Sequence, residues 1–189
     1  MAKDLGDVAW PVSTARLVLR RARPDDAEAV RSYREHPTST QWLGPLPENF
    51  TERFVAPERL GLLLAIERDG ELIGDVMVSI GHAWGPAAMA TQAHGVQAEL
   101  GWALRPEETG HGYATEAVEA VLRICFDDLG LRRVTASCFT TNTASWHLME
   151  RLGMRREAHT VADGLHPSGE WRDGYTYALL ADEWRQRNA

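Results

Sequence analysis

The chain has 189 residues, a formal net charge of −7, and 44% apolar and 25% charged residues, a composition typical of one globular domain with a full core. Because no run of lysines and arginines provides a concentrated basic surface, we expect no nucleic-acid partner. No apolar stretch approaches the roughly 18 residues of a membrane span and the start lacks a signal-peptide core, so we expect a cytoplasmic protein with no membrane partner.

The first residues have no regular pattern, so residues 1–15 are expected to form a loose tail before a domain over residues 16–185. Apolar and charged residues alternate over residues 16–22, which predicts a strand. A helix is predicted from Pro24 to about Glu35, because a proline in the first turn is followed by acids that suit the positive end of the helix dipole.

The next segment alternates between loops and regular elements. Residues 36–47 are rich in Pro, Gly, Ser and Thr and are predicted to form a loop, whereas residues 48–58 are predicted to form a short helix. Asp69 and Gly70 lie between two runs of β-forming residues, which is a strong hairpin signal. Residues 81–97 are a predicted loop, and loops of this length are usually functional or disordered.

The second half of the chain carries the clearest periodicity. Its predicted elements are a strand over 98–104, a helix over 110–129, a strand over 132–139, a helix over 141–152, and strands over 154–161 and 171–180. A hairpin followed by strand, helix, strand, helix and two strands indicates an α+β, or mixed α/β, single domain and not an open doubly wound sheet.

Two glycines, Gly110 and Gly112, bracket His111 where the long predicted helix begins. Glycine allows backbone N–H groups to approach a ligand, and the N-terminus of a helix favours anions. The pattern therefore predicts a phosphate or pyrophosphate site, although two glycines that only cap a helix are the alternative. A dinucleotide fingerprint is excluded because Thr115 stands in place of its third glycine, and a Walker loop is absent.

The following helix places three chemically useful side chains on one face. Asn142, Ser145 and Met149 are spaced i, i+3 and i+7, which aligns an amide, a hydroxyl and a thioether. The alternative is that Asn142 only caps the helix and Ser145 has no special role.

Two motifs between residues 99 and 154 carry a family resemblance: P-x-x-x-G-H-G-Y-A-T-E-A, and N-x-x-S-x-x-L-M-E-R-L-G-M after it. Together they resemble the acetyl-CoA-binding core of the GNAT acetyltransferase superfamily, and are similar to its ribosomal-protein N-terminal acetyltransferase (RimJ/RimL-type) branch. The flanking segments RLVLRRARPDDAEAV and GEWRDGYTYALLADEW have the shape of that branch as well. The similarity covers about residues 16 to 185.

The resemblance implies a central, mostly antiparallel sheet that is flanked by helices and splays beside the strand over 98–104. It implies acetyl-CoA as cosubstrate, without a metal, and transfer of the acetyl group to a primary amine such as a protein or peptide N-terminus. Two alternatives stay open: acetylation of a small molecule such as an antibiotic or amino acid derivative, and an inactive acyl-CoA-binding interaction module. At the family level a homodimer is expected.

The resemblance also implies which residues contact the cosubstrate. The end of the strand at Trp102 to Leu104 would hydrogen-bond the pantetheine arm, and Asn142 would contact the pantetheine or its acetyl region. Ser145 would face the sulfur. The cofactor-binding residues implied in this way are Trp102, Ala103, Leu104, Thr109, Gly110, His111, Gly112, Tyr113, Ala114, Asn142, Ser145 and Met149.

The sequence departs from the family pattern at two positions. Thr109 stands where the pyrophosphate motif usually begins with Arg or Gln, so anion binding must rest on backbone N–H groups, the helix dipole, and His111 or Arg105. Met149 occupies the position of the tyrosine that many members use as the acid toward the thiolate, which leaves Ser145 as the remaining hydroxyl.

Glu99 and Ser145 are the candidate catalytic residues. Glu99 begins the strand that borders the predicted cleft, and alternation places it on the side of Gly101 and Ala103, which we expect to face the acceptor. Its carboxylate would take the amine proton directly or through water, unless it is a surface group paired with an arginine. A strand N–H near Trp102 or Ala103 would hold the oxyanion. The negative net charge favours a cationic acceptor.

Histidine and cysteine give no metal or nucleophile signal. His82 and His94 share the long loop but lack the spacing of a helical zinc pair. Cys125 and Cys138 are predicted to be buried structural thiols, because neither has a base placed beside it by the sequence.

Overall fold

A computed structural model describes residues 3–187, and eight strands of that part join in one sheet. The strands are β1 (Val12–Ser13), β2 (Val18–Arg21), β3 (Leu63–Arg68), β4 (Glu71–Gly81), β5 (Gln97–Leu104), β6 (Arg133–Phe139), β7 (Arg155–Leu165) and β8 (Trp171–Leu180). The helices are α1 (Ala27–Arg34), α2 (Pro37–Leu43), α3 (Phe50–Val55), α4 (Pro57–Leu60), α5 (Ala90–Ala93), α6 (Tyr113–Arg123), α7 (Thr143–Arg151) and α8 (Ala181–Arg187).

The sheet opens between β5 and β6. Its order is β1-β2-β3-β4-β5-β6-β8-β7, and only β5 and β6 run parallel. Residues 97–99 of β5 pair with residues 133–135 of β6, and the pairing stops there. β5 stays paired to β4 as far as Leu104, and β6 stays paired to β8 as far as Phe139. The expected fold, a splayed and mostly antiparallel sheet flanked by helices, is confirmed.

Alternation along the strands produces a core on each face of the sheet. On one face, Leu100 packs with Val121 of α6 and Leu148 of α7 in the larger cluster. On the other face, Tyr33 of α1 and Phe54 of α3 belong to a smaller cluster. Successive side chains of a strand therefore point into one core or the other. For this reason different side chains border the gap on the two faces of the sheet. Over residues 3–187, no helix is both long and apolar enough to cross a membrane.

Two expectations about the segment before β3 are corrected. A helix, α2, lies within the predicted loop over 36–47: Pro37 occupies its first turn, His36 accepts a hydrogen bond from the Thr38 N–H, and Gly44 ends it with φ 77°. The predicted helix over 48–58 is broken into α3 and α4 at Ala56, because the following proline disfavours helical backbone there.

The N-terminal segment is packed and not loose, as far as the structure describes it. Leu5 is 3% exposed and lies in the larger core. The Trp10 indole donates to the Leu5 carbonyl at 2.8 Å, and β1 pairs with β2. The expectation of a loose tail missed this because apolar side chains scattered in an aperiodic segment still bury surface.

Candidate functional site

The edge of β5 that faces the gap offers unpaired backbone groups. The Arg105 N–H donates to the Ile73 carbonyl of the β4 side at 2.8 Å, so by alternation the odd-numbered residues of β5 bond toward β4. Trp102 and Leu104 consequently direct their N–H and C=O groups into the gap. Beyond residue 99 no strand of the described chain pairs with this edge of β5. An extended ligand with amide groups can bind along this edge.

Two adjoining cavities follow the gap. One of about 370 Å³ lies between β5 and the β6–β8–β7 part of the sheet. A second, of about 610 Å³, runs from Trp102 along the end of β5 to the loop before α6. The residues that line both are Trp42, Leu43, Trp102, Asn142 and Ser145. Cavities of this size match those that hold small molecules and cofactors.

The loop before α6 presents a cluster of free N–H groups. Gly110 and Gly112 have φ angles of 79° and 82°, which favour glycine. The backbone N–H groups of residues 110–115 have no hydrogen-bond acceptor within residues 3–187. They stand at the positive end of a helix of 11 residues. The geometry fits the phosphate or pyrophosphate site predicted from the glycines.

Two arginines support this loop, Arg16 from the turn between β1 and β2 and Arg68 from β3. Their guanidinium groups lie 4.5 and 5.2 Å from the ring centroid of Tyr113. Arg16 also donates to the His111 carbonyl at 3.0 Å and to Glu116 at 2.7 Å. The Tyr113 hydroxyl, which accepts from Arg68 at 3.1 Å, raises the pKa of that guanidinium. Neither contact could be predicted from the residue pattern.

A third arginine lines the larger cavity itself. Arg151 Nη2 lies 3.4 Å from Thr115 Oγ1, and no carboxylate of the described chain is within ion-pair distance of Arg151. The two cations expected there lie elsewhere: Arg105 is 3.7 Å from Glu71, and the His111 ring stacks on Tyr113 outside the cavity wall. Among the described residues, Arg151 is therefore the arginine that lines the cavity shared with the N–H cluster.

The side chains predicted on α7 divide between the cavity and the core. Asn142 Oδ1 accepts from the Ser145 N–H at 3.3 Å and so caps α7. The Ser145 hydroxyl has no partner among the described residues and lines both cavities. Met149 is 1% exposed in the core, so the expectation that it contacts the cofactor is not met. Its neighbour Leu148 lines the cavity instead, with Ala144, Ser145 and Arg151. Met149 follows Leu148 and so lies about 100° further around the helix, toward the core.

Glu99 is exposed and is the last residue of β5 that pairs with β6. It lies opposite Thr135 of β6 and Ser79 of β4. It shares the sheet face of Gly101 and Ala103 but lines neither cavity. No arginine of the described chain is within ion-pair distance of it, so the alternative reading as half of a salt bridge has no support here. Its carboxylate is solvated and lies next to the gap.

Both thiols are poor nucleophiles. Cys138 lines the smaller cavity, and burial raises its pKa to about 11, against a smaller opposite effect of Arg156. Burial raises the pKa of Cys125 to about 12. Thiols with such pKa values stay protonated at neutral pH.

The histidines of the long loop are brought together without acidic partners. The His82 and His94 rings stack with centroids 4.2 Å apart, and His82 Nδ1 accepts from the Gly95 N–H at 3.1 Å. Within residues 3–187, no group of three or more His, Cys, Asp or Glu side chains is arranged to hold a metal ion.

Comparison with known proteins identifies a family for the part of the chain that contains both motifs. Residues 16–155 match a family model described as an acetyltransferase (GNAT) domain. The chain is 29% identical over 175 residues to the uncharacterized N-acetyltransferase YnaD of Bacillus subtilis, covering 92% of this chain and 98% of the relative.

Two solved structures extend the likeness to the fold. An acetyltransferase (GNAT family) from Bacillus anthracis has a TM-score of 0.77 and 29% identity, over 92% of this chain and all of the other. Mycobacterium smegmatis RimJ in complex with CoA-disulfide has a TM-score of 0.71 and 25% identity, over 88% of this chain and 83% of the other.

Proposed function

Because the chain belongs to the GNAT acetyltransferase family and is an acetyltransferase, we propose that it moves the acetyl group of acetyl-CoA to a primary amine, with a protein or peptide N-terminus as acceptor. One observation carries this proposal: the open edge of β5 leads directly to the cluster of free N–H groups before α6. A pantetheine arm with amides and a terminal pyrophosphate requires these two features in this order.

The open edge of β5 and the two cavities beside it form one groove, and its residues fit the parts of the cosubstrate. The N–H groups of residues 110–115 would bind the pyrophosphate, and Arg151 would add a positive charge beside it. The backbone of Trp102 and Leu104 would pair with the pantetheine amides. Asn142 and Ser145, which line both cavities, would lie at the thioester end.

When bound, acetyl-CoA supplies a thioester carbonyl that an amine can attack. The amine nitrogen forms a bond to that carbonyl carbon, the carbon–sulfur bond breaks, and the amine proton leaves. Of the two expected oxyanion donors, the Trp102 N–H is the one that points into the gap, because the Ala103 N–H faces β4. Ser145 Oγ is free to donate to the departing sulfur.

We propose Glu99 as the base for the amine. It lies two residues from Gly101 on the same face, which is roughly 7 Å along the strand, so a water molecule is needed to carry the proton to it. Its solvated position next to the gap supports such a relay. Neither Cys138 nor Cys125 competes as a covalent carrier, since both thiols stay protonated.

The test is to mix the purified protein with acetyl-CoA and a panel of peptides and small amines, and to follow free thiol. We expect thiol release that depends on the amine and equals the amount of acetylated product. Tight binding of acetyl-CoA without release on any amine would instead support the acyl-CoA-binding module. The cytoplasmic location and the homodimer stay predictions.

A further inference from the structure

A third cavity, of about 510 Å³, lies on the sheet face covered by α1 and α3. Its wall includes Leu43, the residue that also lines both cavities of the groove, so it adjoins the gap from the opposite side. Three arginines, Arg34, Arg53 and Arg59, line it, against one carboxylate, the exposed Glu58. The cavity is therefore locally positive in a chain of net charge −7.

Only one of the three arginines has its charge compensated. Arg34 Nη2 lies 2.5 Å from Asp75 Oδ2, and the Tyr33 hydroxyl donates to the same carboxylate at 2.5 Å. Asp75 is 2% exposed and bonds to both of these partners, and its charge raises the pKa of Arg59 by less than burial and Arg34 lower it. Burial, and then the Asp75 charge, raise the pKa of the Tyr33 phenol well above its ordinary value.

Arg53 and Arg59 have no carboxylate within ion-pair distance among the described residues. Arg59 Nη1 contacts only the thioether sulfur of Met77, at 3.3 Å, and a thioether is a weak acceptor. Burial, followed by the charge of Arg34, lowers the pKa of Arg59. A half-buried guanidinium beside two others is unfavourable unless an anion joins it.

Arg59 is also close to the reaction site. Met77 lies opposite Gly101 in the β4–β5 pairing, and its Cε is 3.6 Å from the place where a Gly101 Cβ would stand. Gly101 lines the smaller cavity, next to Trp102. One side chain therefore separates the Arg59 guanidinium from the point where the acceptor amine must arrive.

We propose that this cavity binds an anionic group of the acceptor, so that the enzyme acetylates primary amines that also carry a carboxylate or phosphate. The inference rests on the proposed function and names its substrate class. The planar guanidinium groups of Arg53 and Arg59 suit bidentate binding of either anion. The net charge of the chain suggested a cationic acceptor, but the positive charge at the cavity favours an anionic group on it. The local charge has the stronger effect because charges far from a site are screened.

Matched acceptor pairs test the proposal: the same peptide with Glu or Gln beside the N-terminal residue, and the same small amine as free acid or amide. We expect the acid to have a kcat/KM about 10-fold or more above the amide. In Arg53→Gln/Arg59→Met this ratio falls to about 2 or less, Arg59→Lys keeps part of it, and the control Arg185→Gln, on an exposed arginine of α8, keeps all of it.

The outcomes separate the two proposals. Equal kcat/KM for acid and amide in the unmodified protein, or a preference that survives in the double variant, overturns the anionic acceptor and leaves the transferase intact. Absence of thiol release with every amine overturns the proposed function. Calorimetric titration with the acid and the amide then tests anion binding at the cavity independently of catalysis. Binding of the acid that Arg53→Gln removes supports the anion site, and absence of binding contradicts it. Thermal melts of each variant establish that it is folded. If the double variant is unfolded, the acid-to-amide ratio is measured in the single variant Arg53→Gln, because Arg53 is exposed.

Discussion

At the scale of single residues, Glu99 is the proposed base. Its exposed carboxylate shares the face of Gly101 but lines neither cavity, so the proposal requires a water molecule between it and the amine. We expect Glu99→Gln to lower kcat by about 10²–10⁴ and to remove the dependence of kcat on deprotonation of a base. The KM for acetyl-CoA is expected to stay unchanged, because the groove residues are untouched.

Steady-state kinetics from about pH 6 to 9 check this prediction, with Glu28→Gln on the exposed side of α1 as the control. If Glu99→Gln keeps the unmodified kcat/KM over that range with a good acceptor, the base lies elsewhere and solvent deprotonates the amine.

We propose Arg151 as the cation beside the pyrophosphate, in place of the His111 or Arg105 that the sequence suggested. It lines the larger cavity without a carboxylate partner, whereas Arg105 lies beside Glu71 outside the wall. We expect Arg151→Gln to raise the KM for acetyl-CoA about 10-fold, because a charge-assisted contact to phosphate is lost. Arg105→Gln is the matched control, and initial rates at varied acetyl-CoA measure both. An effect confined to Arg105→Gln would return the cation to its first assignment.

At the scale of elements, a charged network ties β6 to β7. Arg133 and Arg155 both contact Glu157, the latter at 2.7 Å, and the bond from Arg133 contributes most to lowering the pKa of that carboxyl to about 2. Since the pKa is depressed in the fold, the stabilisation is complete above the ordinary value near 4.5 and is lost as pH falls through about 2.

Glu157→Gln is therefore expected to lower the melting temperature at neutral pH by a few degrees at most, because the pair is largely solvated. The difference from the unmodified protein should shrink to zero as pH falls from about 4.5 to 2. Calorimetry across that range checks it, with Asp182→Asn in the exposed pair with Arg185 as control. A difference that persists at the lowest pH would assign the effect to packing.

Features that depend on neighbouring residues could be predicted from the sequence. Asp69 and Gly70 predicted the hairpin correctly because both must adopt positive φ, 53° and 83°, within two residues. The glycines before α6 predicted the N–H cluster for the same reason. Helix α2 was missed although His36 and Pro37 carry its start signal, because the polar, proline-containing composition around them is typical of a loop.

The remaining site residues were beyond the sequence because tertiary contacts place them. Arg16 reaches Glu116, 100 positions away, and Arg34 reaches Asp75 across the sheet. Residue spacing predicts neighbours within one helix or strand and carries no information on such pairs. Met149 failed for a related reason: a shared helix face on a wheel does not fix which edge of that face is buried by the sheet.

At the scale of the whole molecule, the two faces of the splayed sheet divide the work. One face and the edge of β5 hold the groove with its free N–H groups, and the other holds the arginine-lined cavity, with Leu43 between them. Under the two proposals, the acetyl donor and the amine would approach the Trp102 region from opposite faces of the sheet. This would require a gap that passes through the sheet and an unpaired strand at its edge.

Residue-resolved amide hydrogen exchange with and without acetyl-CoA tests the central claim, that this groove holds the acetyl donor, most directly. We expect slower exchange on binding at Trp102, Leu104 and residues 110–115, whose N–H groups face the gap or the helix end, while Gly101 and Ala103 change little because they already bond to β4. Binding without protection at those N–H groups, or with protection confined to another part of the sheet, would contradict the account.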